Sequence, residues 1–154
     1  MNIAIGSDHR GSETARHLAE HLRATGHQVD DAIELPQGPC DYPDQAWLVA
    51  SKVADGSIDR GILICGTGIG MCIAANKVPG IRAALAPDEL SAELSRSHND
   101  SNILCLSGDL IGKTLAKRIV EVWLQTEHEG GRHMRRLDKI KVIEQGNDPA
   151  TMST

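Results

Sequence analysis

A three-layer α/β fold with a five-stranded parallel sheet is the fold class that this sequence predicts. Short apolar runs alternate with amphipathic segments along the chain, a pattern typical of strands interleaved with helices. The aromatic residues are two Trp and one Tyr, with no Phe, so the core must consist of aliphatic side chains. Such a core suits a parallel sheet that helices cover on both faces.

Five apolar runs predict the strands, and Gly, Pro or polar residues bound each of them. These runs are Asn2–Gly6, Gln28–Ile33, Ile58–Cys65, Ile81–Leu85 and Asn102–Leu106. Helical periodicity between the runs predicts helices over Gly11–Thr25, Asp44–Asp55, Ile69–Lys77, Asp88–Arg96, Gly112–Gln125 and Arg132–Glu144. At 154 residues, the chain is predicted to form one domain over residues 1–145, followed by a flexible tail over 146–154.

Charge, hydropathy and cysteine spacing indicate which kinds of partner are disfavoured and which cellular compartment to expect. The formal net charge of −5 disfavours a nucleic-acid partner, and no apolar run has the length that a membrane span needs. Met1 leads directly into a strand, with no signal peptide pattern before it. The cysteines lack zinc-site spacing, so we expect a cytoplasmic protein with four free thiols.

A cysteine and three alternating glycines, at the end of the third predicted strand, form the most informative motif. Cys65 ends that strand, and Gly66, Gly68 and Gly70 follow before the next helix. Unpaired N–H groups at a helix N-terminus favour anions and thiolates, so Cys65 is a candidate base. The alternative is a buried structural cysteine in a tight strand–helix connection.

Other polar residues flank the predicted strands, and ligands of parallel α/β folds bind beyond the carboxyl ends of strands. Asp8 and His9 follow the first strand, Asp41 and Tyr42 follow the second across its loop, and His98 and Asn99 precede the fifth. We expect these groups to collect at one edge of the sheet. Without further context, an ordinary polar loop is the favoured interpretation of His98 and Asn99, and Tyr42 is alternatively a partly buried core residue.

Six motifs in order and in register resemble the ribose-5-phosphate isomerase B family, which includes the galactose-6-phosphate isomerase subunits. They are Gly6-x-Asp8-His9-x-Gly11, Asp41-Tyr42-Pro43, Ile64-Cys65-Gly66-Thr67-Gly68-Ile69-Gly70, Ile73-Ala74-Ala75-Asn76-Lys77, Gly80-Ile81-Arg82-Ala83 and His98-Asn99-Asp100-x-Asn102. Glu129-Gly130-Gly131-Arg132-His133, followed by Arg136, resembles the C-terminal motif of the family. The resemblance covers about residues 2–145.

The resemblance implies an aldose–ketose isomerase with a Rossmann-like fold that uses no metal and no cofactor. It implies interconversion of D-ribose 5-phosphate and D-ribulose 5-phosphate by ring opening and proton transfer through a cis-enediolate. Family members are homodimers, often paired into tetramers, with the site between two subunits. One subtype uses a cysteine as base and the other a glutamate; with Cys65 and Met71 at those positions, this chain resembles the cysteine subtype.

The resemblance also assigns roles to individual residues. Cys65 moves the proton between C1 and C2, and the Thr67 hydroxyl holds or transfers the proton on the O1/O2 side. His98 opens the furanose ring. Asp8 orients sugar hydroxyls and His9 reaches the phosphate. The remaining substrate-binding positions are Asp41, Tyr42, Gly66, Gly68, Gly70, Asn99, Arg132 and Arg136, and the two arginines reach across the dimer interface to clamp the phosphate.

Asp109 departs from the family pattern, in which many members carry a phosphate-binding arginine after the fifth strand. Either Arg135 compensates, or Asp109 points away, or the substrate differs. Alternative substrates are therefore galactose 6-phosphate, allose 6-phosphate, a tetrulose phosphate or a free sugar.

Two other classes of function are weighed against an isomerase. A flavin- or nucleotide-binding module would need a G-x-G-x-x-G motif after the first strand, where the chain has Gly6-Ser7-Asp8-His9-Arg10-Gly11. A regulatory sugar-phosphate binder without catalysis is disfavoured by the presence of both Cys65 and His98.

Overall fold

The computed structural model describes residues 1–30, 36 and 38–152, and it contains the predicted five-stranded parallel sheet. The strand order is β2-β1-β3-β5-β4, and every neighbouring pair is parallel. The strands are β1 (Asn2–Ser7), β2 (Gln28–Val29), β3 (Arg60–Cys65), β4 (Ala83–Leu85) and β5 (Ile103–Ser107). The predicted second strand continues to Ile33, but residues 31–33 lie outside the described residues.

Six α-helices cover the sheet and extend from it. They are α1 (Ser12–Ala24), α2 (Tyr42–Ala54), α3 (Ile69–Ala75), α4 (Glu89–Ser97), α5 (Lys113–Gln125) and α6 (Arg132–Glu144). A short 3-10 helix, Pro149–Thr151, follows in the segment predicted as a tail, and Lys139 Nζ of α6 donates to Pro149 O at 2.6 Å. None of the helices in the described part of the chain has the length and apolarity to cross a membrane.

Two apolar clusters, one on each face of the sheet, confirm the three-layer architecture. Ile62 and Ile64 point into one cluster with α1 and α5, whereas Leu63 and Cys65 point into the other with α2 and α3. This alternation is the period of two expected of a strand that is buried on both faces. The central strands β1, β3 and β5 therefore form the rigid base from which the loops at both edges project.

Most predicted bounds agree with the structure within two residues. Helix α2 begins two residues earlier than predicted, at Tyr42, because Pro43 occupies its first turn and Asp41 its N-cap. Strand β4 begins at Ala83 and not at Ile81, since the backbone N–H of Arg82 is taken by the side chain of Asn102 at 2.8 Å.

The two tryptophans have opposite environments. Trp123 of α5 is fully buried, and its indole N–H donates to Ser101 Oγ at 2.8 Å. Ser101 Oγ also lies 2.9 Å from Ser95 Oγ, so the buried indole is tied to the segment that precedes β5. Trp47 of α2 is 60% exposed.

Gly11 sits where the loop after β1 crosses β3. A Cβ at this position would lie 2.3 Å from Ile64 O and 2.8 Å from Ile64 Cγ2. The backbone angle of Gly11 (φ −90°) is open to any residue, so the requirement for glycine is one of space.

We expect Gly11→Ala to lower the free energy of unfolding by about 3 kcal/mol, because the methyl group forces two backbone segments apart. Urea denaturation measures this change. Gly112→Ala is the matched control: it too precedes a helix, and a Cβ there would meet nothing within 4 Å. Its cost should stay below about 1 kcal/mol, and equal costs for the two variants would contradict the explanation.

Candidate active site

Three loops lie side by side at the carboxyl edge of the sheet. The register pairs Ser7 of β1 with Ile64 of β3, and Cys65 of β3 with Ser107 of β5. The backbone N–H of Asp8 donates to Ile64 O at 3.1 Å, which keeps the loop after β1 against β3. The loops that follow β1, β3 and β5 therefore meet at the point where Cys65 ends its strand.

The thiol of Cys65 is held by the turn between β3 and α3. Cys65 is 5% exposed, and the backbone N–H of Gly68 donates to its Sγ at 3.1 Å. Gly68 has φ +78°, and a Cβ there would lie 2.6 Å from Leu85 Cδ1 and 2.9 Å from Leu106 O. Only glycine fits this position, and the resulting turn directs a donor at the sulfur.

Thr67 occupies the exposed tip of the same turn. Its Oγ1 accepts a hydrogen bond from the backbone N–H of Ile69 at 3.3 Å. The hydroxyl therefore contacts the first N–H group of α3 and remains accessible at the surface, two residues from the thiol.

Asp8 is the buried carboxylate of this edge, at 6% exposed. Its Oδ1 accepts hydrogen bonds from the backbone N–H groups of Arg10 at 2.9 Å and Gly11 at 3.0 Å. His9, between them, is exposed. The carboxylate therefore shapes its own loop and presents His9 and Arg10 outward.

Tyr42 approaches the cysteine turn from the next helix. A Cβ at Gly70, in the first turn of α3, would lie 2.7 Å from Cε2 and Cζ of the Tyr42 ring. Asp41 precedes Tyr42 as the N-cap of α2 and is exposed. Of the residues singled out from the sequence, the structure thus brings Tyr42 and the cysteine–glycine turn together within one chain.

His98 and Asn99 lie at the opposite, amino edge of the sheet. They connect α4 to β5, and Nε of Arg82, which precedes β4, donates to Asn99 O at 3.0 Å. Strand β5 spans Ile103–Ser107 between the two edges, a length of roughly 13 Å at about 3.3 Å per residue. The expectation that all of these polar groups collect at one edge is therefore wrong for His98 and Asn99.

The basic C-terminal motif lies with His98. The ring of His133 stacks on that of His98, with centroids 4.2 Å apart and planes 7° from parallel. Nε of Arg132 donates to His133 Nε2 at 3.4 Å, and Arg136 follows one turn later on the exposed face of α6. Burial, together with the charges of His98 and Arg132, lowers the pKa of His133, which favours the neutral form of the ring that stacks on His98.

Asp100 fixes the loop that carries His98 and Asn99. Its φ of +45° is the one positive value among the non-glycine residues that the structure describes. Its Oδ1 accepts from Arg96 Nη1 at 2.7 Å and its Oδ2 from Arg82 Nη2 at 2.8 Å. Burial opposes ionisation of Asp100, but hydrogen bonding to Arg96 and the charges of both arginines lower its pKa overall. The two arginines thereby hold a backbone conformation that costs free energy by itself.

Asp100 and His133 are site residues whose roles the sequence did not indicate. Both lie inside motifs that it quoted, directly after Asn99 and Arg132. Their position next to predicted site residues is the sequence feature that could have indicated a role. Neither the left-handed backbone nor the ring stack follows from it.

His98, Glu129 and His133 place possible metal-binding atoms within 4.8 Å of one another. The two imidazole rings are nearly parallel, so their in-plane lone pairs run in parallel planes and do not converge on one point. A shared ion needs converging lone pairs, and we therefore assign no metal to this cluster.

Asp109 does not stand as an uncompensated negative charge at the carboxyl edge. Nε and Nη2 of Arg10 contact Asp109 Oδ2 at 2.8 Å and 2.6 Å. The compensating cation is therefore Arg10, from the loop after β1, and not Arg135.

Known proteins share this fold and these motifs. The chain matches the Ribose/Galactose Isomerase family over residues 3–140. Ribose-5-phosphate isomerase B of Escherichia coli strain K12 is 47% identical over 143 residues, covering 93% of this chain and 96% of the relative. The structure of Clostridium thermocellum ribose-5-phosphate isomerase B is similar with a TM-score of 0.93 at 49% identity, covering 95% of this chain and 99% of that one.

A ligand-bound structure is also similar. Ribose-5-phosphate isomerase B from Mycoplasma genitalium with bound ribulose-5-phosphate has a TM-score of 0.85 at 45% sequence identity. The alignment covers 94% of this chain and 96% of that chain. Since the family match spans β1 to α6 and the relatives are this similar over nearly their whole length, the chain belongs to the ribose/galactose isomerase family.

Proposed function

We propose that the protein interconverts D-ribose 5-phosphate and D-ribulose 5-phosphate, in a site that two copies of the chain form together. The division of the site residues between opposite edges of one sheet carries this proposal. The carboxyl edge holds a thiol, a hydroxyl and backbone donors, and the amino edge holds an imidazole and two exposed arginines. The relatives named for the same reaction support the choice of substrate.

The carboxyl edge supplies the proton transfer. In the open aldose, the thiolate of Cys65 removes the proton from C2, and the electron pair moves to form the cis-enediolate. The thiol then returns the proton to C1, which yields the ketose. The Thr67 hydroxyl moves the remaining proton between O1 and O2. The backbone N–H groups of Gly66 and Gly70 stabilise the enediolate charge, while that of Gly68 donates to the sulfur of Cys65.

The amino edge of the second copy supplies ring opening and anchoring. His98 donates a proton to the furanose ring oxygen, the bond between that oxygen and C1 breaks, and the C1 hydroxyl gives its own proton to solvent water as the carbonyl forms. Asn99 binds sugar hydroxyls, as do Asp8, Asp41 and Tyr42 of the first copy. Arg132 and Arg136, together with His9, bind the phosphate, because arginine forks match its oxygens.

An exposed apolar surface next to the cysteine turn supports association of two copies. Trp47 of α2 is 60% exposed, and Ile69 and Ile73 of α3 are 52% and 57% exposed. Large exposed apolar side chains on adjacent helices mark interaction surfaces, and these two helices pack against each other. We therefore extend the proposal to a homodimer. A homotetramer would be a pair of these dimers.

The same proposal places the enzyme in the cytoplasm. All four cysteines are free thiols, and Cys65 must stay reduced to act as a base.

We expect the protein to isomerise ribose 5-phosphate in preference to galactose 6-phosphate, allose 6-phosphate, erythrulose 4-phosphate and free ribose. A coupled assay with these substrates measures the preference. Cys65→Ala should lower kcat by about 10²- to 10⁴-fold, because the proton loses its acceptor. A faster rate with a free sugar, or full activity in Cys65→Ala, would contradict the proposal.

Cys72→Ala is the matched control for this substitution and should retain turnover. Substitution is a cleaner test than alkylation, because a hydrogen bond with Cys105 lowers the pKa of Cys72 to about 7. A thiol reagent at neutral pH would therefore modify Cys72 as well.

Mixing two inactive variants tests whether the site is shared. We expect Cys65→Ala and His98→Asn to be inactive alone, and to recover about a quarter of the wild-type activity after random reassociation. Half of the dimers are then mixed, and one of their two sites combines an intact Cys65 with an intact His98. Activity is measured after the two variants are unfolded and refolded together. No recovery would indicate that each site lies within a single chain.

A further inference from the structure

An ion pair between Arg10 and Asp109 lies across the cysteine turn. Arg10 Nε and Nη2 contact Asp109 Oδ2 at 2.8 Å and 2.6 Å, although 99 positions separate the two residues in the chain. A Cβ on Gly66 would lie 2.9 Å from Asp109 Oδ2 and 3.0 Å from Arg10 Nε. The pair therefore packs directly on the residue that follows Cys65.

The backbone on both sides of the pair is fixed. Asp8 Oδ1 accepts from the backbone N–H of Arg10, and Ser107 Oγ accepts from that of Asp109 at 3.2 Å. The N–H of Asp109 also donates to Gly66 O at 3.2 Å, and a Cβ on Gly108 would lie 2.9 Å from Arg10 O. The two loops can approach this closely because residues 66 and 108 are glycines.

The guanidinium keeps part of its binding capacity. Arginine has five N–H donors, and one carboxylate oxygen occupies the edge formed by Nε and Nη2. The side chain of Arg10 is 58% exposed, so its other edge faces solvent beside the turn. Asp109 thereby sets the direction of the guanidinium without enclosing it.

Arg10 is the one permanent cation in the loops that directly follow the three central strands. Among the residues that directly follow β1, β3 and β5, positions 8–11, 66–68 and 108–110, the permanent charges are those of Asp8, Arg10 and Asp109. The phosphate of a pentose 5-phosphate lies at the far end of the carbon chain from C1 and C2. Its cation must therefore lie at a distance from the thiol itself but within the length of the substrate, and Arg10, which packs on Gly66 and has an exposed guanidinium, is the permanent cation of these three loops.

We propose that Arg10 binds the substrate phosphate and that Asp109 is a positioning residue, which orients the guanidinium for this contact. The inference rests on the proposed function and deepens it, because it makes this pair a determinant of specificity for phosphorylated sugars. Arg10 acts from the same copy as Cys65, whereas Arg132 and Arg136 come from the other copy. The three guanidiniums then hold the phosphate from two sides.

Arg10→Met tests the phosphate contact. We expect it to raise KM for ribose 5-phosphate by about 10- to 100-fold and to change kcat by less than about threefold, since a charge-assisted hydrogen bond to the ground state is lost. Calorimetry with inorganic phosphate should show a matching loss of affinity. Arg10→Lys, which retains the charge without the fork, should fall between wild type and Arg10→Met.

Arg118→Met is the matched control. Arg118 also forms an exposed ion pair, with Nε 3.0 Å from Glu89 Oε1 and its side chain 60% exposed. Kinetic constants should remain at the wild-type values in this variant, and urea midpoints establish that all variants fold. Equal KM values for Arg10→Met and wild type would overturn the inference and identify the pair as a tie between loops. A wild-type protein that binds phosphate but does not turn over ribose 5-phosphate would refute the proposed function alone.

Asp109→Asn separates orientation from repulsion. If Asp109 orients Arg10, the variant raises KM by about 3- to 10-fold, and the double variant with Arg10→Met has the KM of Arg10→Met alone. A fall in KM in Asp109→Asn would show that Asp109 opposes phosphate binding. That result, or additive effects in the double variant, would overturn the positioning role.

Discussion

Parallel pairing of β1, β3 and β5 determines which side chains of one chain can meet. All three strands run in the same direction, so residues that follow a strand and residues that precede one lie at opposite edges. Cys65 belongs to the first group and His98 to the second, with the length of a strand between them. A chemistry that needs both groups must therefore bring the carboxyl edge of one copy to the amino edge of another.

The two edges are held by different physical means. At the carboxyl edge, glycines allow backbone to pack on backbone, as where Gly11 meets Ile64 O and Gly68 meets Leu106 O. At the amino edge, ion pairs hold the loop instead, because Arg82 and Arg96 both donate to the carboxylate of Asp100. The first arrangement keeps the thiol turn rigid without large side chains. The second stabilises a strained loop through a carboxylate whose pKa the two arginines lower against the effect of burial.

Much of the architecture follows from the sequence in physical terms. Apolar runs and helical periodicity predict every strand and α-helix of the described chain. A strand that is buried on both faces leaves a continuous apolar run, whereas a helix that is buried on one face leaves apolar residues at a helical spacing. The edge of the sheet at which His98 lies could also be predicted from the sequence, because a residue that precedes a parallel strand lies at the amino edge. Contacts over long separations were not available. The pairing of Arg10 with Asp109, the left-handed backbone of Asp100 and the stack of His98 on His133 all depend on how distant segments pack.

The opposite environments of Trp47 and Trp123 give the protein two independent optical reporters. The indole of Trp47 is solvated and lies on the surface proposed to meet a second copy, so its emission shifts to shorter wavelength when copies associate. Trp123 is already dry and is bonded to Ser101, three residues beyond His98, so its emission changes when that segment comes apart. Replacing either indole by phenylalanine therefore lets assembly and unfolding be followed separately by fluorescence.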